Sequence, residues 1–138
     1  MERMPSCKVC LTVGEGARIP VLRTTSGKLL LANWSDPART AFLDRLDDLA
    51  GASKAKREKL LQTLSGLKGA AYHHAPSSMT EGVTDISVPV GVPGSDVAGA
   101  LVISYLSGTR SGEMNAPRYL KALEASAAEI NRNLGIAQ

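Results

Sequence analysis

Two apolar runs on either side of a six-residue turn constrain this chain more than any other feature. Val83–Val90 alternates Ile86, Val88 and Val90 with Ser87 and Pro89, the period of two expected of a strand. Val97–Leu106 is the most strand-like stretch of the sequence. Gly91–Asp96 (GVPGSD) between them has the composition of a turn. The arrangement predicts an antiparallel hairpin. Pro89 has no N–H to give a ladder, so it predicts an edge position or a bulge.

Other elements surround this hairpin. Cys7–Val13 (CKVCLTV) reads as a strand with Cys7, Val9, Leu11 and Val13 on one face, broken by Gly14 and Gly16. Arg18–Leu22 reads as a short extended piece. Gly27–Trp34 reads as a helix of about two turns that Thr24, Thr25 or Ser26 can cap, because a side-chain oxygen there accepts an orphan N–H. A second helix starts at Asp36-Pro37, with Asp36 as the expected cap and Phe42, Leu43, Leu46 and Leu49 on one face. Ser53 opens a third, with Leu60, Leu61, Leu64 and Leu67 directed inward. Ala70–His74 reads as a short strand and Ala75–Gly82 as a loop. A long helix from about Ala116 to Leu134 closes the chain, with Pro117 in its first turn and Gly135 past its end. Tyr119, Leu123, Ala127, Ile130 and Leu134 form its apolar stripe. The order of elements predicts an α+β fold with a mostly antiparallel sheet flanked by helices.

The chain's 138 residues suit one domain. With 43% hydrophobic and 21% charged residues, disordered, collagenous, coiled-coil and mucin-like classes are excluded. The apolar runs Leu29–Ala32 and Ala100–Ile103 are far too short to cross a bilayer, and no signal-peptide pattern is present. The expected location is the cytoplasm. Residues 1–69 hold 12 basic and 7 acidic side chains, residues 70–138 hold 4 and 6, and the formal net charge is +3. No dense basic stripe of a DNA-reading helix occurs. The cluster Lys54, Lys56, Arg57, Lys59 includes Glu58 and reads as a solvated helix face.

Motifs for catalysis or metal binding are weak. Cys7 and Cys10 form a CxxC, but on a strand residues three apart face opposite ways, and no second CxxC exists. Adjacent His73 and His74 diverge for the same reason. Gly27-Lys28 lacks the rest of a P-loop: Leu22 and Leu29 stand where a Gly and a Ser or Thr are required. No HExxH or GxSxG is present. We therefore expect no catalytic residue, metal or cofactor. Two groups need partners if they face inward: the Asp85 carboxyl and the Tyr105 hydroxyl.

Val13–Ala32, Gly82–Val90 and Val97–Ser107 with the helix ending AAEINRNLG, taken in that order and spacing, resemble the effector-binding domain of IclR-type bacterial transcription regulators. Val13–Ala32 (VGEGARIPVLRTTSGKLLLA) is similar to that family's strand, loop, basic-x-Pro, small polar run and Gly-Lys helix. Gly82–Val90 (GVTDISVPV) is similar to Gly-Val-x-Ser-Ile-Ala-Ala-Pro-Val, with Asp85 in place of the usual small residue. Val97–Ser107 and the helix ending AAEINRNLG are similar to the family's last strand and closing helix. The resemblance implies a GAF-like fold with a small-molecule pocket between the sheet and its covering loops. It implies a ligand set of Leu11, Thr25, Ser26, Asp85, Ile103 and Tyr105, with Tyr72–Pro76 replacing the family's usual acidic stretch. It also implies that residues 1–138 are one effector-binding domain, incomplete at its N-terminus, and that DNA is bound only through a winged helix-turn-helix these residues do not contain.

The expected function is therefore sensing of a small organic or aromatic acid to control that separate DNA reader, in a homodimer or homotetramer, without membrane contact or enzyme activity. The alternative is a stand-alone GAF-like dimerisation or interaction module that takes no ligand.

Overall fold

A computed structural model describes residues 13–46, 51–94 and 96–136 of this chain. A single 3-10 turn, Val21–Arg23, leads into helix α1 (Thr25–Ala32), followed by α2 (Asp36–Asp44) and α3 (Lys54–Leu67). Three strands come next, β1 (His73–Pro76), β2 (Val83–Val92) and β3 (Asp96–Leu106), before the long helix α4 (Arg110–Asn133). The strands form one antiparallel sheet in the order β1-β2-β3. This is the α+β architecture expected from the order of elements. The strand expected over Cys7–Val13 falls almost wholly outside the described residues, as do Leu11, both cysteines and Leu49.

The hairpin pairs Val83 with Leu106, Asp85 with Ser104 and Ile86 with Ile103. Its register shifts between Val90 and Gly91, where Gly91 has a φ of 120°. β2 is the middle strand rather than an edge, yet β1 pairs with it only as far as Ser87. Pro89 thus lies beyond the last β1 partner and one residue before the irregularity, where a missing N–H costs little.

Every residue of β2 from Val83 to Gly91 is buried. Such burial requires cover on both faces, and two different layers supply it. On one face Ile86, Val88 and Val90 pack with Tyr105 against Ala116, Leu123 and Ala127 of α4. Ser87, of opposite parity, meets Thr25 of α1 on the other face. A second apolar cluster, Leu31, Ala32, Leu43 and Leu64, joins α1, α2 and α3.

Local chemistry explains most helix boundaries. The Thr24 hydroxyl accepts from the Gly27 N–H at 3.0 Å and caps α1, which begins at Thr25 instead of Gly27. Val21 and Leu22, expected in an extended piece, belong to the preceding 3-10 turn. Gly27 makes that approach possible, because a Cβ there would collide with the Val21 carbonyl oxygen. Ser35 caps α2 by accepting from the Ala38 N–H. Asp36, the expected cap, is instead the first helical residue, with Arg39 at 2.8 Å and Lys68 at 3.5 Å. Ser53 caps α3 as expected, accepting from the Lys56 N–H at 3.2 Å. Leu64 is fully buried and Leu60 and Leu67 partly so, but Leu61 is exposed, one position off the apolar stripe.

Two boundaries differ more. β1 starts at His73 and runs through Pro76 because it pairs with β2 as a hairpin, so the strand sits about three residues later than the apolar pattern suggested. α4 starts at Arg110, six residues before the expected Ala116, with Thr109 as its cap. Pro117 is consequently inside the helix, not in its first turn. It removes the bond to the Glu113 carbonyl, on an exposed face of the helix. Gly112 lets α4 approach β3, since a Cβ there would lie 2.7 Å from the Tyr105 ring.

Two buried asparagines tie loops to helices. Asn33, after α1, donates to the Leu29 carbonyl at 2.8 Å and accepts from the N–H groups of Gly69 and Gly94. Asn131 of α4 accepts from the Gly91 N–H at 2.9 Å, holding the hairpin's irregular position against the helix.

Candidate functional site

Polar side chains collect where the start of α1 crosses the sheet. The Thr25 and Ser87 hydroxyls are 2.5 Å apart, and Ser87 is wholly shielded from solvent. The His73 Nδ1–H donates to the Thr25 carbonyl at 3.2 Å, which leaves Nε2 as an acceptor in the neutral ring. One strand-residue pair further along the same face, the Ser104 hydroxyl donates to Asp85 Oδ1 at 2.6 Å. Asp85 is 9% exposed, and among the described residues the Ser104 hydroxyl is the one side-chain partner of its carboxylate. Apolar Val102 (41% exposed) and Leu106 (50% exposed) lie on this face of β3. The Ser78 hydroxyl donates to the Arg23 carbonyl, tying the β1–β2 loop to the chain entering α1.

This arrangement offers two kinds of recognition. The first turn of α1 has backbone N–H groups without intrahelical partners, and the helix dipole favours an anion there. The Thr25 and Ser26 N–H groups belong to that turn, and Ser26 is half-buried with its hydroxyl 3.4 Å from that of Thr24. Asp85 presents the opposite preference: a buried carboxylate accepts hydrogen bonds and repels a second carboxylate. Among the described residues no group of three or more His, Cys, Asp or Glu side chains is placed to hold a metal ion.

The residues expected to form the site divide between the two faces. Thr25, Ser26 and Asp85 lie on the α1 side. Ile103 and Tyr105 point the other way, into the layer packed by α4. Tyr105 is 8% exposed, and its hydroxyl lies 2.7 Å from His74 Nε2. Burial, with help from the nearby Glu113 carboxylate, raises the Tyr105 phenol above its ordinary pKa of 10.0. Leu11 lies outside the described residues.

Ser87, Ser104 and His73 are absent from the ligand set that the resemblance implies. Parity held the missing information. In an antiparallel pair, opposed residues share a face, so the residue opposite Asp85 is Ser104 and the residue opposite Ser87 is Val102. The α1-side positions of β3 are therefore the even-numbered ones, a shift of one residue from Ile103 and Tyr105.

Comparison with known proteins places the fold. No curated protein matches the sequence. Similar solved structures include a transcriptional regulator from Rhodococcus sp. RHA1, with 23% identity and a TM-score of 0.75, aligned over 94% of this chain and 52% of that one. The inducer-binding domain of a PobR transcription factor double mutant from Acinetobacter, in complex with 3-hydroxybenzoic acid, gives 20% identity and a TM-score of 0.70 over 92% of this chain and 75% of that one. An IclR homologue from Microbacterium hydrocarbonoxydans, in complex with 4-hydroxybenzoate, gives 24% identity and a TM-score of 0.67 over 91% and 50%. The present chain thus spans about half the length of the first of these regulators. Residues 2–132 match the family model of the bacterial transcriptional regulator IclR C-terminal domain, and the chain belongs to that family of transcription-regulator domains.

Proposed function

We propose that this domain senses a small organic acid that also carries a hydroxyl group, bound on the α1 face of the sheet. The observation that carries this reading is the convergence of Thr25, His73, Asp85, Ser87 and Ser104 around the start of α1. In this reading the ligand carboxylate faces the N–H groups of Thr25 and Ser26. A ligand hydroxyl donates to Asp85, which a bare carboxylate cannot approach without repulsion. Val102 and Leu106 supply apolar contact for a ring or chain. The two ligand complexes among the similar structures, with 3-hydroxybenzoic acid and 4-hydroxybenzoate, support the reading, since each ligand has one carboxyl and one hydroxyl group.

The sensing domain, within an oligomer in the cytoplasm, would control a helix-turn-helix DNA reader. A ligand achieves this only by binding one arrangement of the domain better than another. One observation favours the alternative of a ligand-free interaction module: Thr25 and Ser87 satisfy each other directly.

A thermal-shift screen with benzoate, 3-hydroxybenzoate, 4-hydroxybenzoate and phenol separates the two. The sensing reading predicts a saturable rise in Tm with at least one hydroxybenzoate, worth about 2.7 kcal/mol at a hundredfold excess over Kd. It predicts smaller rises with benzoate and phenol, each lacking one group. Equal responses to benzoate and to both hydroxybenzoates would remove Asp85 from the reading. A flat response to every acid would favour the interaction module.

A further inference from the structure

A second group of side chains lies where α3 packs beside α1. An open groove of about 480 Å³ runs between the turn entering α1 and helix α3. Four cationic side chains line it: Arg23, Lys28, Lys56 and Lys59. Leu22, Leu60 and Thr63 complete its walls. On α3 the lining residues are Lys56, Lys59, Leu60 and Thr63, spaced i, i+3, i+4 and i+7, so one stripe of the helix faces the groove.

The lysine-rich start of α3 is the solvated face expected from the sequence, with Lys54, Lys56 and Lys59 exposed, and its ion pairs divide those cations into two sets. Lys54 and Arg57, the cations of α3 outside the groove, each have a carboxylate: Glu58 for Lys54 and Asp44 for Arg57. Asp36 is taken by Arg39 and Lys68. Among the described residues, none of the four groove cations has a carboxylate within salt-bridge distance. Like charges set across a groove repel one another, and that repulsion is relieved when an anion enters.

We propose that this groove binds a compact polyanion, a small molecule carrying two or more phosphate or carboxylate groups. Arg23 offers a planar, bidentate fork, and the three lysines act as point charges around it. None of the five side chains of the proposed effector site lines this groove, but the two share a short stretch of chain. Arg23 is two residues before Thr25, and its carbonyl holds the Ser78 hydroxyl of the β1–β2 loop. An anion held by Arg23 therefore bears on the same helix start that faces the proposed effector.

Isothermal titration of the whole chain with inorganic pyrophosphate and with citrate tests the proposal and distinguishes phosphate from carboxylate sources. We expect saturable one-to-one binding of at least one of them at low salt, weakening as salt screens the charges. Lys56→Gln and Lys59→Gln together, both exposed and outside the packed core, should weaken binding about tenfold or more, whereas Lys54→Gln on the same helix should change it less than about twofold. Circular dichroism confirms that the variants are folded. The proposal is overturned if neither anion gives a saturable signal, or if Lys54→Gln weakens binding as much as the groove pair does. It is equally overturned if random-sequence duplex DNA displaces pyrophosphate through the same lysines, which would reassign the groove to a nucleic-acid backbone.

Discussion

The bond between Thr25 and Ser87 permits a quantitative test of how the α1 face is held together. Thr25→Val removes one hydroxyl at nearly constant volume, and Ser87→Ala removes the other. The two hydroxyls are 2.5 Å apart; Ser87 is 0% and Thr25 5% exposed. Neither variant leaves a hole that water could fill easily. Each single substitution leaves the remaining hydroxyl buried without its partner, a cost of about 1–3 kcal/mol. The double variant strands no polar group, so it should lie well below the sum of the two, with a coupling of about 1 kcal/mol or more. For a domain of this size a loss of about 2 kcal/mol lowers Tm by roughly 6–12 °C. Urea unfolding followed by circular dichroism measures all four corners of the cycle, provided the slope m stays constant. Additive losses, with no coupling, would refute the claim that these hydroxyls satisfy each other in a dry contact. They would point instead to water in the space between α1 and the sheet.

Two further perturbations probe the opposite face. Gly112→Ala should destabilise by about 1–3 kcal/mol, because the new methyl meets the Tyr105 ring and the Leu106 carbonyl; a neutral result in chemical denaturation would show that α4 is not packed this closely. Tyr105 has a raised pKa in the fold, so the folded state keeps its proton longer than the unfolded chain as pH climbs. Its contribution is fully present below the ordinary value of 10.0 and is lost as pH rises through the higher folded value. Stability measured across the alkaline range should therefore fall less steeply in Tyr105→Phe than in the unaltered chain, and parallel falls would exclude the effect.

Much of this fold can be read from local chemistry. Ser53 acts within a few residues and caps α3 as expected, and the two apolar runs pair as the expected hairpin, although Gly91, Val92 and Asp96 belong to the strands and not to the turn. The exceptions have non-local causes. α4 extends back to Arg110 through Ser111, Gly112 and Asn115, residues with low helix propensity, because packing on β3 outweighs that preference. Ser87 looks like the polar half of an alternating strand, yet it is buried because α1 covers the second face of the sheet. A single strand's alternation shows two faces without saying whether both are covered. The candidate site was legible in part for a similar reason. Thr25 and Asp85 announced themselves as a cap-region hydroxyl and a charge in a strand. Ser104 required the cross-strand register, and His73 required the β1–β2 pairing that turns it under α1.

The central claim is that the α1 face, and not the α4 face, receives a hydroxylated organic acid. Amide chemical-shift mapping of the isotopically labelled chain during titration with 3-hydroxybenzoate and 4-hydroxybenzoate tests it most directly. The account predicts saturable shifts concentrated at Thr25, Ser26, Asp85, Ser87 and Ser104, with Ala116, Leu123 and Ala127 of α4 little changed. Shifts centred on Tyr105 and α4, or a spectrum unmoved by either acid, would contradict it.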